Sequence, residues 1–330
     1  MNTNSLAFVK YGAKKYIPSC IWRNAAKFVQ KKRSSDFAER HVVKNFGISE
    51  PRILVIRRRP PGGGLFSNMN HVLQGIEYAK SENLTPVVDM KNYWTSYSQR
   101  GKFNGSDNSW EYFFEPVSDI LLEDLDKYQN LTFSKGDRIL PSSPLANHGL
   151  NFVLNEDLLF KYSNLYADHI KLNKQTREFL SRVKEFLEWE TSSFGVSFRG
   201  TDYISMQPKG HARQPSHSQL LSRLENKFRK HNYSRLFIAT EDVEARRIIS
   251  GAYPDITYKG FRKRETIEKL LSHRSIHSNQ TIEALGYLAE IYLLSECLSI
   301  TCSIANGSAS AFLINGGKYL EPDVINLGVY

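Results

Sequence analysis

A chain of 330 residues that is 41% hydrophobic holds enough apolar material for one large core or two smaller ones. Its 12% aromatic content excludes a disordered, collagen-like or coiled-coil chain. The formal charge of +10 is concentrated at the start, where residues 1–59 carry 14 Lys or Arg against Asp36, Glu39 and Glu50. The remainder is close to neutral, which argues against a nucleic-acid-binding surface spread over the fold.

Residues 1–50 form a basic extension in which Lys14, Lys15, Arg23, Lys31 and Lys32 alternate with Tyr16, Ile17, Trp22 and Phe28. Such a segment suits peripheral contact with an anionic membrane through residues 1–45, or a solvated helical extension. Cys20, Cys297 and Cys302 show no metal-ligand spacing, and their odd number suits a reducing compartment. No stretch of eighteen apolar residues and no leader is readable, so a cytoplasmic location is expected.

Regular α/β alternation follows. Residues 52–58 read as a buried strand, 60–64 as a Pro-Pro-Gly-Gly-Gly turn, 68–82 as a helix and 86–90 as a strand, which together make a βαβ unit of a parallel sheet. The aromatic stretch 93–116 has no clean period and reads as loop and short helix over the first domain. A charged helix is expected over 173–190. A second series then begins, with strands at 194–198, 236–240, 256–258 and 298–301. The helices of that series are expected near 217–230, 243–250 and 309–314, with a long amphipathic one over 282–295. The expected architecture is α/β, two doubly wound Rossmann-like domains over 51–180 and 181–330, with a ligand cleft between their carboxyl edges.

Four motifs sit where chemistry is expected. In the loop 60–71, Gly63 and Gly64 would let backbone N–H groups approach a phosphate, and Ser67 or Asn68 would cap the helix or bond a ligand; a plain turn is the alternative. The loop lacks the Lys-Ser/Thr pair of a P-loop. At the end of the 194–198 strand, the planar fork of Arg199 suits a diphosphate, with Thr201 and Asp202 beside it; an Arg199–Asp202 ion pair is the structural alternative. After the 236–240 strand stand Glu241 and Asp242, suited to a ribose or base, although Asp242 would equally cap the next helix. Finally, Ser303, Asn306, Ser308 and Ser310 fall between a strand and a helix, as a nest of donors or as helix capping.

Taken in order, Gly-Gly-x-x-Ser-Asn, Phe-Arg-Gly-Thr-Asp-Tyr, Ala-Thr-Glu-Asp, and Glu-Ile-x-x-Leu-Ser-x-Cys before a Ser-rich loop resemble the GT-B fucosyltransferases. That clan holds the core and nodulation-type α1,6-fucosyltransferases and the protein O-fucosyltransferases, and the resemblance runs over about residues 53–316. It implies a GT-B fold and GDP-fucose as donor. Arg199 would then grip the pyrophosphate, Asn68 would match the Asn or Gln of the first Gly-rich loop, Asp242 would face the guanine or ribose, and the stretch from Ser303 to Ser310 would bind phosphate. Ser197 stands where the family often has His, and no Glu occurs between Asp202 and Gln219, so the family's downstream catalytic Glu has no match.

The expected function is inverting sugar transfer to a glycan acceptor, which a lipid could carry, with Asp202 as base and His211 second. The expectation is that the chain has no Asp-x-Asp triplet to hold a divalent ion, and neither a metal nor a cofactor is expected. The alternatives are another donor, such as GDP-mannose or a UDP- or CMP-sugar, and a non-catalytic nucleotide- or glycan-binding protein.

Overall fold

The computed structural model describes residues 50–134, 149–207, 209–231, 233–271 and 278–330, so the basic extension lies, but for Glu50, outside the described residues. The described residues form an α/β structure with two parallel sheets, of three and four strands.

In the first sheet, β1 (Ile53–Ile56) lies between β2 (Thr85–Val88) and β3 (Leu131–Phe133), both parallel to it, with Ile53 opposite Thr85 and Leu131. All four β1 residues are fully buried, because both faces of this strand are covered and an unbroken Ile-Leu-Val-Ile run suits that position. Helix α1 (Leu65–Ser81) returns the chain to β2 and buries Phe66, Met69, Val72, Leu73 and Ile76. Gly75 lets it settle on the sheet, since a Cβ there would lie 2.7 Å from Cδ1 of Ile56. The aromatic stretch forms turns rather than a regular helix, held by Trp110 stacked on Phe114 at 4.4 Å and Phe103 edge-on to Tyr112 at 5.5 Å.

Two helices link the sheets, α2 (Glu156–His169) and α3 (Lys174–Leu187). Each starts at an Asn cap: Asn155 accepts from the Leu158 N–H and Asn173 from the Thr176 N–H, both at 2.9 Å. The second sheet has the order β5-β4-β6-β7, all parallel: β4 (Phe194–Phe198), β5 (Leu236–Thr240), β6 (Ser299–Ser303) and β7 (Asp323–Ile325). Between them run α4 (Thr201–Met206), α5 (His217–Lys230), α6 (Val243–Ala252), α7 (Arg264–Leu270), α8 (Asn279–Glu296) and α9 (Asn306–Asn315).

Two expectations need correction. The segment 256–258 makes one parallel bridge, Thr257 to Leu236, and is too short to extend the ladder as a strand. Helix α8 is not amphipathic: it buries residues all round, Ile282 and Leu285 as well as Tyr292 and Leu294, because α3, α7, α9, β4 and β5 surround it. Gly195 in β4 answers to this, since a Cβ there would lie 2.7 Å from Leu294. One hydrophobic core runs from Leu54 and Ile56 of the first sheet through Phe66 and α8 to Phe237 and Ile300 of the second.

Candidate active site

The chain leaves β4 in one direction to reach β5 and later crosses to β6 on the other side, so the carboxyl ends of β4 and β6 flank a topological switch point. Crevices at such points are where parallel sheets bind ligands. The residues delivered there are Arg199, Gly200 and Thr201 after β4, and Ile304, Ala305 and Asn306 after β6.

Arg199 is about a third exposed; its Nε lies 3.5 Å from Oε1 of Glu241, and its guanidinium sits 5.6 Å above the Tyr203 ring. Gly200 tolerates no side chain, since a Cβ would run into the Asp242 carboxylate and lie 2.6 Å from Phe198. Thr201 directs its O–H and N–H to Glu241 at 3.2 and 3.4 Å. Asp202 is the second residue of α4, and its side chain lies outside the described residues. His211 places Nδ1 3.0 Å from the Tyr203 hydroxyl, next to this turn.

Asp242 adopts the capping arrangement. Its Oδ1 accepts from the Ala245 N–H at 2.9 Å, and its Oδ2 lies 3.3 Å from Nε2 of His217. The serines past β6 are likewise turned inward. Ser308 Oγ donates to the Ser303 carbonyl at 2.6 Å and accepts from the Ala305 N–H at 2.9 Å, Ser310 donates to the Asn306 carbonyl at 2.7 Å, and the Ser303 hydroxyl bonds Gln214. These hydroxyls shape the loop, and the groups left to meet a ligand are backbone N–H groups at the start of α9. Ala305 at that N-cap offers no side-chain acceptor, and no acid stands in the first turn.

Helix α1 begins in the same way, with Gly64 at its N-cap and no acid in its first turn. Asn68 is fully buried and fastens the Gly-rich loop: it accepts from Arg58 Nη1 at 2.8 Å and the Gly63 N–H at 3.2 Å, and donates to the Gly63 carbonyl at 3.1 Å and Tyr97 at 3.3 Å. Arg58 Nη1 also reaches Ser67 Oγ at 3.0 Å, so one guanidinium braces both polar residues of the motif. Burial holds the Arg58 guanidinium below its ordinary range. Gly63 is needed, since a Cβ would lie 2.6 Å from Ser67 Oγ, whereas the space beside Gly64 is open. The start of α1 meets the second sheet's helices directly: Asn70 Nδ2 donates to Asn306 Oδ1 at 3.1 Å, and Phe66 stands edge-on to Tyr287 at 5.2 Å.

Several members of this site were given no role from sequence, Glu290 among them although it opens the Glu-Ile-x-x-Leu-Ser-x-Cys motif. Glu290, on α8, is 2% exposed and is gripped by Arg246 at 3.2 Å and Arg262 at 2.8 Å. Burial raises its carboxyl, and the two guanidiniums pull it back. Tyr287, one turn earlier, lies 5.8 Å beneath Arg262 and blocks any side chain at Gly307; burial pushes its phenol up to about 12. Arg199, Arg246 and Arg262 stand here against three carboxylates, Glu241, Asp242 and Glu290. The signal available in the sequence was Glu290 itself, a carboxylate inside an apolar helix, which needs a cation. The expectation of no Asp-x-Asp triplet needs correction: Asp124-Leu125-Asp126 is one, but it lies in a 3-10 turn ahead of β3, at the opposite, amino edge of its sheet, with Asp124 bonded to Lys127 at 2.6 Å. A cavity of about 840 Å³ lined by Glu77, Tyr78, Phe160 and Lys161 opens on the far half of α1 and takes no part in the site.

Two parallel sheets joined through helices define a mixed α/β fold, and solved structures narrow it. The chain is similar to NodZ alpha-1,6-fucosyltransferase co-crystallised with GDP, at 17% identity and a TM-score of 0.50 over 85% of this chain and 96% of that one. It is also similar to fucosyltransferase NodZ from Bradyrhizobium, at 17% identity and 0.49 over 84% and 96%, and to the apo form of POFUT1, at 8% and 0.48 over 86% and 100%. No family model matches the sequence, and no curated protein does. The likeness at these identities is one of fold: this chain has the mixed α/β, parallel-sheet fold of NodZ.

Proposed function

We propose that the chain is an inverting, metal-independent glycosyltransferase that moves fucose from GDP-fucose to a glycan acceptor. The donor would lie in a cleft between the two Rossmann-like units, 51–180 and 181–330. The observation that carries this reading is Arg199, placed at the switch point of the second sheet beside the uncapped start of α9. A diphosphate leaving there as GDP develops negative charge on its bridging oxygen. Arg199, the N–H groups of Asn306 and Gly307, and the loop at Gly63 and Gly64 would stabilise that charge without a divalent ion. The acceptor hydroxyl attacks the anomeric carbon from the face opposite the diphosphate, its proton passing to Asp202, or to His211 as second candidate. The bond from the sugar to the diphosphate breaks with its electron pair on GDP. Asn68 and Asp242 act at one remove in this reading, fixing the loop and the start of α6, while Thr201 contributes its N–H and O–H. Residues 1–45 would hold the enzyme at the anionic inner face of a membrane that carries a lipid-linked acceptor.

The test is turnover of a panel of nucleotide sugars (GDP-fucose, GDP-mannose, UDP- and CMP-sugars), followed as release of the free nucleotide with EDTA present. GDP-fucose should turn over fastest and EDTA should leave the rate unchanged. A preference for another donor overturns the fucose assignment, a metal requirement overturns the charge-stabilisation argument, and binding without release marks a non-catalytic protein.

A further inference from the structure

Glu241 follows β5 directly and reaches across to the loop that leaves β4. Its Oε1 meets three donors of that loop: the Thr201 O–H at 3.2 Å, the Thr201 N–H at 3.4 Å and Arg199 Nε at 3.5 Å. A guanidinium, an amide and a hydroxyl converging on one oxygen is the set a phosphate oxygen would require. We propose that Glu241 is a built-in stand-in for the donor's diphosphate, seated in the Arg199–Thr201 cradle until the diphosphate displaces it and returning as the product leaves. The proposal rests on the donor-binding reading of Arg199.

Comparison of the carboxylates at this edge carries the argument. Glu290 is 2% exposed and clamped by two arginines, so it stays where it is. The Asp242 side chain is 14% exposed and tied to the start of α6 by a 2.9 Å bond. Glu241 alone of the three is held only by contacts of 3.2 Å or longer, with its side chain 32% exposed. An ion pair of that exposure is weak, and solvent is at hand to receive the carboxylate when it turns out. A diphosphate offers several charged oxygens to the same donors and would win the exchange, but against an intramolecular competitor. Glu241 therefore lowers affinity for the diphosphate and speeds its departure, which matters where product release limits turnover.

The experiment is calorimetric titration of the full chain with GDP and with inorganic pyrophosphate, for the wild type, Glu241→Gln, Glu241→Asp and Arg199→Ala, together with stopped-flow release of GDP. Glutamine keeps the shape and removes the charge. Glu241→Gln should bind both ligands about two- to fivefold more tightly, the range set by losing a weak exposed pair, and release GDP correspondingly more slowly. Glu241→Asp should stay near the wild type, and Arg199→Ala should lose binding. If Glu241→Gln binds at wild-type affinity or more weakly, Glu241 merely orients Arg199 and the proposal fails while the donor-binding reading stands. If the wild type binds neither ligand, the donor-binding reading fails first and takes the proposal with it.

Discussion

Arg199 follows the largely buried strand β4 and is itself about a third exposed at the carboxyl edge of the sheet. Arg199→Ala should lower turnover by at least about 10²-fold with the thermal midpoint little changed, and Arg199→Lys should recover little, because an ammonium lacks the planar fork. A lysine variant with near-wild-type kcat/KM would remove the diphosphate role. Gly200 makes the opposite prediction: an alanine there collides with the Asp242 carboxylate that caps α6. Gly200→Ala should cost about 1–3 kcal/mol in urea unfolding, combining a lost cap with overpacking. Arg199 was legible because an arginine ending an apolar strand stands out in one line of sequence. The partners of Glu290 were not, because Arg246 and Arg262 lie 44 and 28 residues away and only the fold brings them to it.

At the scale of elements, strand and helix cores were legible wherever apolar runs were long, as in β1, β4, β5 and α1. The three-residue strands β3 and β7 carry no readable period and exist because a neighbouring edge accepts them. The Ser-rich loop shows why residue type alone misleads: its hydroxyls looked like ligand donors, yet each satisfies a backbone carbonyl or a buried amide, leaving α9 to present its own N–H groups. Helix α1 carries a pH prediction. His71 is buried, its Nε2–H donates to the Arg57 carbonyl at 3.1 Å, and burial, aided by the nearby Arg58 charge, lowers its pKa to about 4. Between that value and the ordinary one near 6.5 the unfolded chain binds a proton that the folded chain refuses. Stability should therefore fall as pH drops through this window, by about 3 kcal/mol in total. Urea unfolding from pH 7 to pH 4 checks it, and His71→Gln should flatten the slope.

For the whole molecule, the uneven charge predicts behaviour at surfaces. Basic residues near an anionic membrane contribute about 1 kcal/mol each, so deleting residues 1–45 should abolish co-sedimentation with phosphatidylserine vesicles at low salt and leave turnover on a short soluble acceptor intact. Full-length binding should weaken steeply as salt screens the charges. Equal co-sedimentation of both forms would reduce the segment to a solvated extension. The existence of two parallel sheets was legible from the alternation of elements, whereas their shared core was not, since α8 reads as a surface helix until its neighbours are known.

That shared core bears on how the chain comes apart. Leu54 in β1, Phe66 at the head of α1 and Leu288 in the middle of α8 belong to one apolar mass, so neither sheet can lose its packing while the other keeps it. Heating should then give one calorimetric transition whose van't Hoff and calorimetric enthalpies agree, and a chain cut between α3 and β4 should yield halves that regain structure only when mixed.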